Sequence, residues 1–265
     1  MTKQPEKEVV QTEKEAVVQI TGLCKRYSKK ADYAISNVTF KCYAGEIVGL
    51  LGHNGAGKST TLKCLEGMLP FDEGEILING HDVKKDPIAA KADMGFVTDN
   101  HAVFVKMTGM EYLSFMAAVY KVPVEVRAER LEKLQDVFRL GDAINNLISS
   151  YSHGMRQKIC MMGSLLHRPK LWILDEPMTG LDPRTMKAVR EFMKEYVAEG
   201  NCIIFSSHAL EAVKNVCDRV VLIRKGQQLD DLNIKQMLAK DPNFDFEQFY
   251  LDNQSDNNNT AANLK

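Results

Sequence analysis

The octapeptide Gly52-His53-Asn54-Gly55-Ala56-Gly57-Lys58-Ser59 carries the densest chemistry in this chain, because it fits the pattern G-x-x-x-x-G-K-[ST]. It follows an apolar run, EIVGLL, and opens a segment of helical spacing, KSTTLKCLEGM. In that setting the glycines at 52, 55 and 57 let the backbone curl until successive N–H groups converge on one anion. The helix behind adds the positive end of its dipole. Lys58 is then a point charge for the β- and γ-phosphates of a polyphosphate, and Ser59 a hard oxygen for Mg²⁺. Thr60 is expected to bind phosphate through its backbone rather than its side chain. The bland alternative, a chance Gly-rich turn, has little room once a strand precedes and a helix follows.

A second cluster is LWILDE, residues 171–176: four apolar residues, then two carboxylates. A buried strand would deliver Asp175 and Glu176 to its C-terminal tip, where open α/β sheets hold their ligands. Side chains alternate along a strand, so the two carboxylates point differently. Asp175 is read as the group that holds the water shell of Mg²⁺, and Glu176 as the one that polarises an attacking water. Alone, an apolar run ending in Asp-Glu is more often a strand entering a loop; the upstream cradle turns the balance.

A third feature is Tyr151-Ser152-His153-Gly154-Met155-Arg156-Gln157. Ser152 is a natural N-cap for the helix that follows, and Gly154 lets backbone come close to another molecule. This is a second anion-receptive helix start. One chain cannot easily use both starts on one nucleotide, which suggests a head-to-tail pair of chains, each presenting Ser152 and Gly154 to the other's ligand.

The elements that must position these groups follow from periodicity. The stretch from Ala16 to about Gly80 is β-rich, with strands at 16–20, 46–52 and 72–80 and a helix from Lys58 to about Met68. Residues 105–168 switch to helical spacing, with one helix stopping at Gly141. A strand at 94–98 precedes that stretch, and strands return at 171–175, 202–206 and 218–223, with helices at about 183–199 and 209–216. Strand–helix alternation implies a mostly parallel sheet covered on both faces. The expected fold is an α/β P-loop core with an antiparallel β flank and an inserted helical subdomain at about 100–165. Residues 1–15 read as a mobile tail, 16–235 as the main domain, and 236–265 as a C-terminal helix and disordered tail.

Composition excludes some classes. Net charge is −1, from 34 basic and 35 acidic residues, which argues against a nucleic-acid partner. No apolar run approaches the roughly 18 to 20 residues that span a bilayer, and the charged first residues do not resemble a secretion signal. A cytoplasmic location is expected. Six scattered cysteines with no C-x-x-C pair read as small buried apolar side chains.

Together the cradle, YSHGMRQ, LWILDEP with Met178-Thr-Gly-Leu-Asp182-Pro behind it, and His208 after IIFSS make the chain resemble the ATP-binding cassette (ABC) family, over roughly residues 16–230. The resemblance implies an ATPase that uses ATP and Mg²⁺, pairs with a second copy of itself or a related ATP-binding subunit, and works on the cytoplasmic face of the membrane for membrane-spanning permease subunits. It implies that Ser152 and Gly154 contact the partner's γ-phosphate and that Asp182 lines the dimer interface. His208 would hydrogen-bond the γ-phosphate and hold the geometry around Glu176, and Tyr27 would stack on adenine. An exposed strand-end tyrosine is the alternative for Tyr27. Three departures stand out. His153 and Met155 replace the first Gly and the Gln of the usual L-S-G-G-Q. Asp99 stands where the family has a glutamine, and is taken as a further group toward Mg²⁺ or water. The segment around GFVTDN and FVKMTGMEYLSFMAAVYKVP looks like the branch that exports drugs, polysaccharides or sodium ions. An iron–sulfur assembly ATPase and a regulatory module that binds ATP but barely hydrolyses it remain open rivals. Ribosome-acting factors with two cassettes and repair ATPases with a long coiled coil do not fit.

Overall fold

The computed structural model describes residues 16–98, 104–241 and 244–254. The chain opens with β1 (Ala16–Lys25), β2 (Ile35–Tyr43) and β3 (Glu46–Leu51), then α1 (Lys58–Leu65). A short flank follows: β4 (Glu73–Ile78), β5 (His81–Asp82), α2 (Pro87–Ala92) and β6 (Met94–Val97). Three helices come next, α3 (Gly109–Val119), α4 (Val124–Phe138) and α5 (His153–Leu165), with two 3-10 turns between α4 and α5. The chain then alternates through β7 (Leu171–Asp175), α6 (Pro183–Ala198), β8 (Cys202–Ser207), α7 (Leu210–Val216) and β9 (Arg219–Arg224). It ends with β10 (Gln227–Asn233), α8 (Ile234–Lys240) and α9 (Phe246–Gln254).

The strands form one sheet in the order β5-β4-β1-β2-β10-β9-β3-β8-β7-β6. The run from β9 to β6 is parallel, and β1, β2, β4 and β5 pair antiparallel, as do β9 and β10. The parallel strands are covered on both faces, so β7 and β8 are buried at every position. Alternation along β3 shares its side chains between two cores: Ile47 and Leu51 face one, Val48 and Leu50 the other. The order puts β3 between β8 and β9, so the loop leaving its C-terminal end sits mid-sheet, beside the end of β8 and one strand from that of β7.

On the helical face, Trp172 is fully buried. Its ring nitrogen donates to Ser164 Oγ of α5 at 3.0 Å. Its ring lies edge-on to Phe192 and Tyr196 of α6, with centroids 6.0 Å apart in both pairs. In α3 a capping box fixes the start, with Thr108 and Glu111 bonding each other's backbone at 3.2 and 2.8 Å.

Some boundaries differ from the sequence reading. The helix expected to stop at Gly141 ends at Phe138. Arg139 takes a left-handed φ of 52° and donates its N–H to Gln135 O at 2.8 Å, closing the helix itself. Strand β10 was not foreseen, because QQLDDLN has no apolar alternation. It is held by pairing with β9 and by Arg219, whose guanidinium bonds both oxygens of Asp231 and both of Glu46. Among the described residues no helix is long and apolar enough to cross a membrane.

Candidate active site

The cradle is built where β3 turns into α1. Gly57 has φ 113° and no side chain caps the helix, so the first-turn N–H groups are left as donors. A Cβ at Gly57 would stand 2.7 Å from Ile35 Cγ2 and 3.1 Å from the Ala34 carbonyl oxygen, so glycine is required there twice over. The loop is also held from outside. Gly226 N–H donates to Ala56 O at 2.9 Å, and Ser36 N–H donates to Gly226 O at 2.7 Å. The β9–β10 turn therefore clamps the cradle onto β2, a role that nothing near Gly226 in the sequence signals.

Lys58 is buried, and its ammonium donates to Gly52 O at 2.7 Å and His53 O at 3.2 Å. Burial pulls its pKa down, while the charges of Glu176 and Asp175 pull it back up. Lys58 and Glu176 border one cavity of about 390 Å³. It is lined by Tyr27 and Ala34, by Asn54, Gly55 and the stretch Gly57 to Thr60, and by Glu176. Tyr27 is 65% exposed, and its hydroxyl shares a 3.1 Å hydrogen bond with Thr60 Oγ1. The Thr60 side chain, discounted in the sequence reading, therefore touches the residue expected to meet the base.

The carboxylates part where β7 ends: Asp175 is its last residue, and Glu176 follows outside the strand. Asp175 is buried and accepts from the Ser206 hydroxyl. Glu176 has a left-handed φ of 50°. Its N–H donates to Ser206 O at 3.2 Å, and its Oε1 lies 2.8 Å from His208 Nδ1. Ser207 Oγ lies 3.4 Å from the other oxygen. Ser206 and Ser207 supply support that the sequence reading missed; small polar residues ending a strand give no signal by type.

The donor set fits a polyphosphate: uncapped helical N–H groups, a buried ammonium, and open space above Gly55, where a Cβ would meet nothing within 4 Å. No group of three His, Cys, Asp or Glu among the described residues could hold a metal unaided. Mg²⁺ bound through phosphate needs only one or two protein oxygens, and Ser59, which lines the cavity, is an oxygen of that kind.

Ser152 and Gly154 do not line this cavity. Ser152 caps α5, accepting from Met155 N–H at 3.3 Å. A Cβ at Gly154 would collide with the carbonyl oxygen of Gly180. The missing side chain at Gly154 is thus needed within its own chain, whatever the helix start meets beyond it. Asp182 caps α6, accepting from Thr185 N–H at 2.9 Å and Thr185 Oγ1 at 2.6 Å, and pairs with Lys158 at 3.2 Å. Those bonds from Thr185, with Lys158 behind them, hold its carboxyl well below the usual range. Asp99 lies outside the described residues.

The family model described as ABC transporter matches residues 35–179. The linearmycin resistance ATP-binding protein LnrL of Bacillus subtilis (strain 168) is 32% identical over 80% of this chain and 68% of its own length, so the matched stretch spans about two thirds of that relative. A solved ATP binding subunit of an ABC transporter superposes with a TM-score of 0.83, at 29% identity, over 89% of this chain and 98% of that one. The ATP-binding cassette MJ0796, solved as a dimer in a post-hydrolysis state with ADP and Pi, shares the fold, with a TM-score of 0.73 at 21% identity over 82% of this chain and 98% of that one. With the cradle, the paired carboxylates and the sheet order already in place, these matches establish that the chain belongs to the ABC transporter family, as an ATP-binding subunit of the ATP-hydrolysing type.

Proposed function

We propose that two such chains, or this chain and a related subunit, close head to tail around two ATP molecules and that hydrolysis drives export through separate membrane-spanning subunits. The reading is carried by one observation: Glu176, held 2.8 Å from His208, borders the same cavity as Lys58. Lys58 and the cradle N–H groups neutralise the β- and γ-phosphates, and Ser59 and Asp175 would hold Mg²⁺, which when bound would supply charge stabilisation on the transferring phosphoryl group. Glu176 orients the attacking water and accepts its proton, His208 keeps the carboxylate aimed, and Tyr27 stacks on the base. Ser152, exposed at the start of α5, completes the partner's site. Exposed Phe104, Phe115 and Val119 near and on α3 offer an apolar grip for a permease. That grip would seat the chain peripherally on the cytoplasmic face. Export is favoured because one relative, LnrL, is named for linearmycin resistance and another, SkfE, for peptide export.

The test is Glu176→Gln. It keeps the shape of the site and removes the charge, so ATP should still bind. Turnover should fall about 10²-fold or more, and an ATP-dependent dimer should become visible by light scattering. Lys58→Ala should abolish that dimer by losing the nucleotide. Ser152→Gly, which as a cap costs only a few tenths of a kcal/mol, should weaken it. A Glu176→Gln protein that hydrolyses ATP at the wild-type rate would mean that another group activates the water.

A further inference from the structure

The first turns of α5 are fastened to the loop that leaves β7. His153 and Gly154 pack on Gly180, and Lys158 pairs with Asp182 at 3.2 Å. Between them Gln157, fully buried, turns its amide nitrogen onto two successive carbonyl oxygens, those of Pro177 and of Glu176, the latter at 3.5 Å. A buried glutamine is costly unless it is bonded, and here its Oε1 has no partner. An apolar residue of that length would pack without leaving an orphan. The donor end is what the position retains, and it is directed at the backbone of the carboxylate residue.

That backbone needs holding. Glu176 sits at φ 50°, a conformation that a residue with a side chain keeps only when its surroundings over-determine it. Ser206 O holds its N–H side at 3.2 Å. Gln157 holds its carbonyl side. We infer that Gln157 is a positioning residue for Glu176, clasping the Glu176–Pro177 backbone so that the carboxylate stays against His208. Because α5 starts at Ser152, the same helix that would face the partner's nucleotide then reaches this chain's own water-orienting group within two turns. The inference rests on the proposed role of Glu176.

Full-length Gln157→Met and Gln157→Glu test it. Met keeps the length and loses the donor; Glu keeps the shape and sets an acceptor against two carbonyls. Both should lower kcat for ATP about 10- to 100-fold, the scale of a misplaced reacting group, with KM within about twofold; the melting temperature should drop by only a few degrees in Gln157→Met and further in Gln157→Glu, whose carboxylate is buried against two carbonyls. In a Glu176→Gln background, Gln157→Met should leave the residual turnover unaltered, since no carboxylate remains to position, and the ATP-dependent dimer should persist. Wild-type kcat in both variants overturns the inference. So does a raised KM at constant kcat, or loss of the dimer in the double variant, which would place Gln157 in the partner's site. Loss of the fold in both variants assigns it to the core. Wild-type turnover in Glu176→Gln alone sinks the proposed base and this inference with it, whereas a failure confined to the Gln157 variants leaves that base standing.

Discussion

Glu66 follows α1 directly, half-buried, with Oε2 lacking any partner. Burial raises its pKa from 4.5 to about 7, in spite of the opposing charges of Lys91 and Lys63. The folded state therefore keeps a proton that the unfolded chain gives up between about pH 4.5 and 7, and stability falls as pH rises through that window. A difference of about 2.5 pH units, at roughly 1.4 kcal/mol each, makes the ionised carboxylate cost about 3 kcal/mol at pH 8. Glu66→Gln keeps the shape without the charge. It should be the more stable protein by up to about 3 kcal/mol at pH 8, equivalent to roughly 6–10 °C in Tm for a domain of this size. At pH 5 the gap should shrink to about 1 kcal/mol. Urea unfolding of both proteins at the two pH values measures this directly, since every other titrating group cancels in the comparison. A gap that is the same at both pH values, or a less stable variant at pH 8, would show that water or a lysine already satisfies Glu66.

Tyr27→Ala should weaken ATP binding by about 1–2 kcal/mol, the usual worth of one aromatic–base stack, while Tyr27→Phe, which loses only the contact with Thr60, should retain most of the affinity in a fluorescent-nucleotide titration. Equal affinity in all three proteins would return Tyr27 to an exposed strand-end residue. Asp182→Ala should cost about 1 kcal/mol as a lost N-cap, or about 2–4 °C in Tm. Since the folded carboxyl is held low, that loss should be complete at pH 7 and should fade as pH falls below the ordinary carboxylate range, as thermal melts at pH 7 and pH 3 would reveal.

What the sequence disclosed depended on whether a residue's task is local. The cradle was legible because its task is set within eight positions and by the strand and helix that flank them. Asp175 and Glu176 were legible from the strand that ends in them. The supports were not. Gly226 acts on Ala56 from 170 positions away, and Ser206 meets Asp175 only because β8 lies beside β7. Gln157 on a helix of mixed composition reads as an exposed polar residue, and only the packing of α5 on the 177–180 loop buries it. Strand β10 escaped for a similar reason, since its position comes from its partners rather than from its own polar residues. Gly154 has a second reason for its missing Cβ that the sequence did not show, the carbonyl oxygen of Gly180 in the same chain.

Trp172 is the one tryptophan in the chain, and its surroundings make it an optical gauge. Its indole is sealed from water, bonded to α5 through Ser164 and edged by the rings of α6, three positions before the carboxylate Asp175. Tryptophan emission from the unlabelled protein therefore comes from a single site, between α5 and the strand that ends at Asp175. A shift of α5 against β7 would alter the Ser164 bond and with it the colour of that emission. The timing of such a shift relative to phosphate release can be followed in a stopped-flow cell on the native chain.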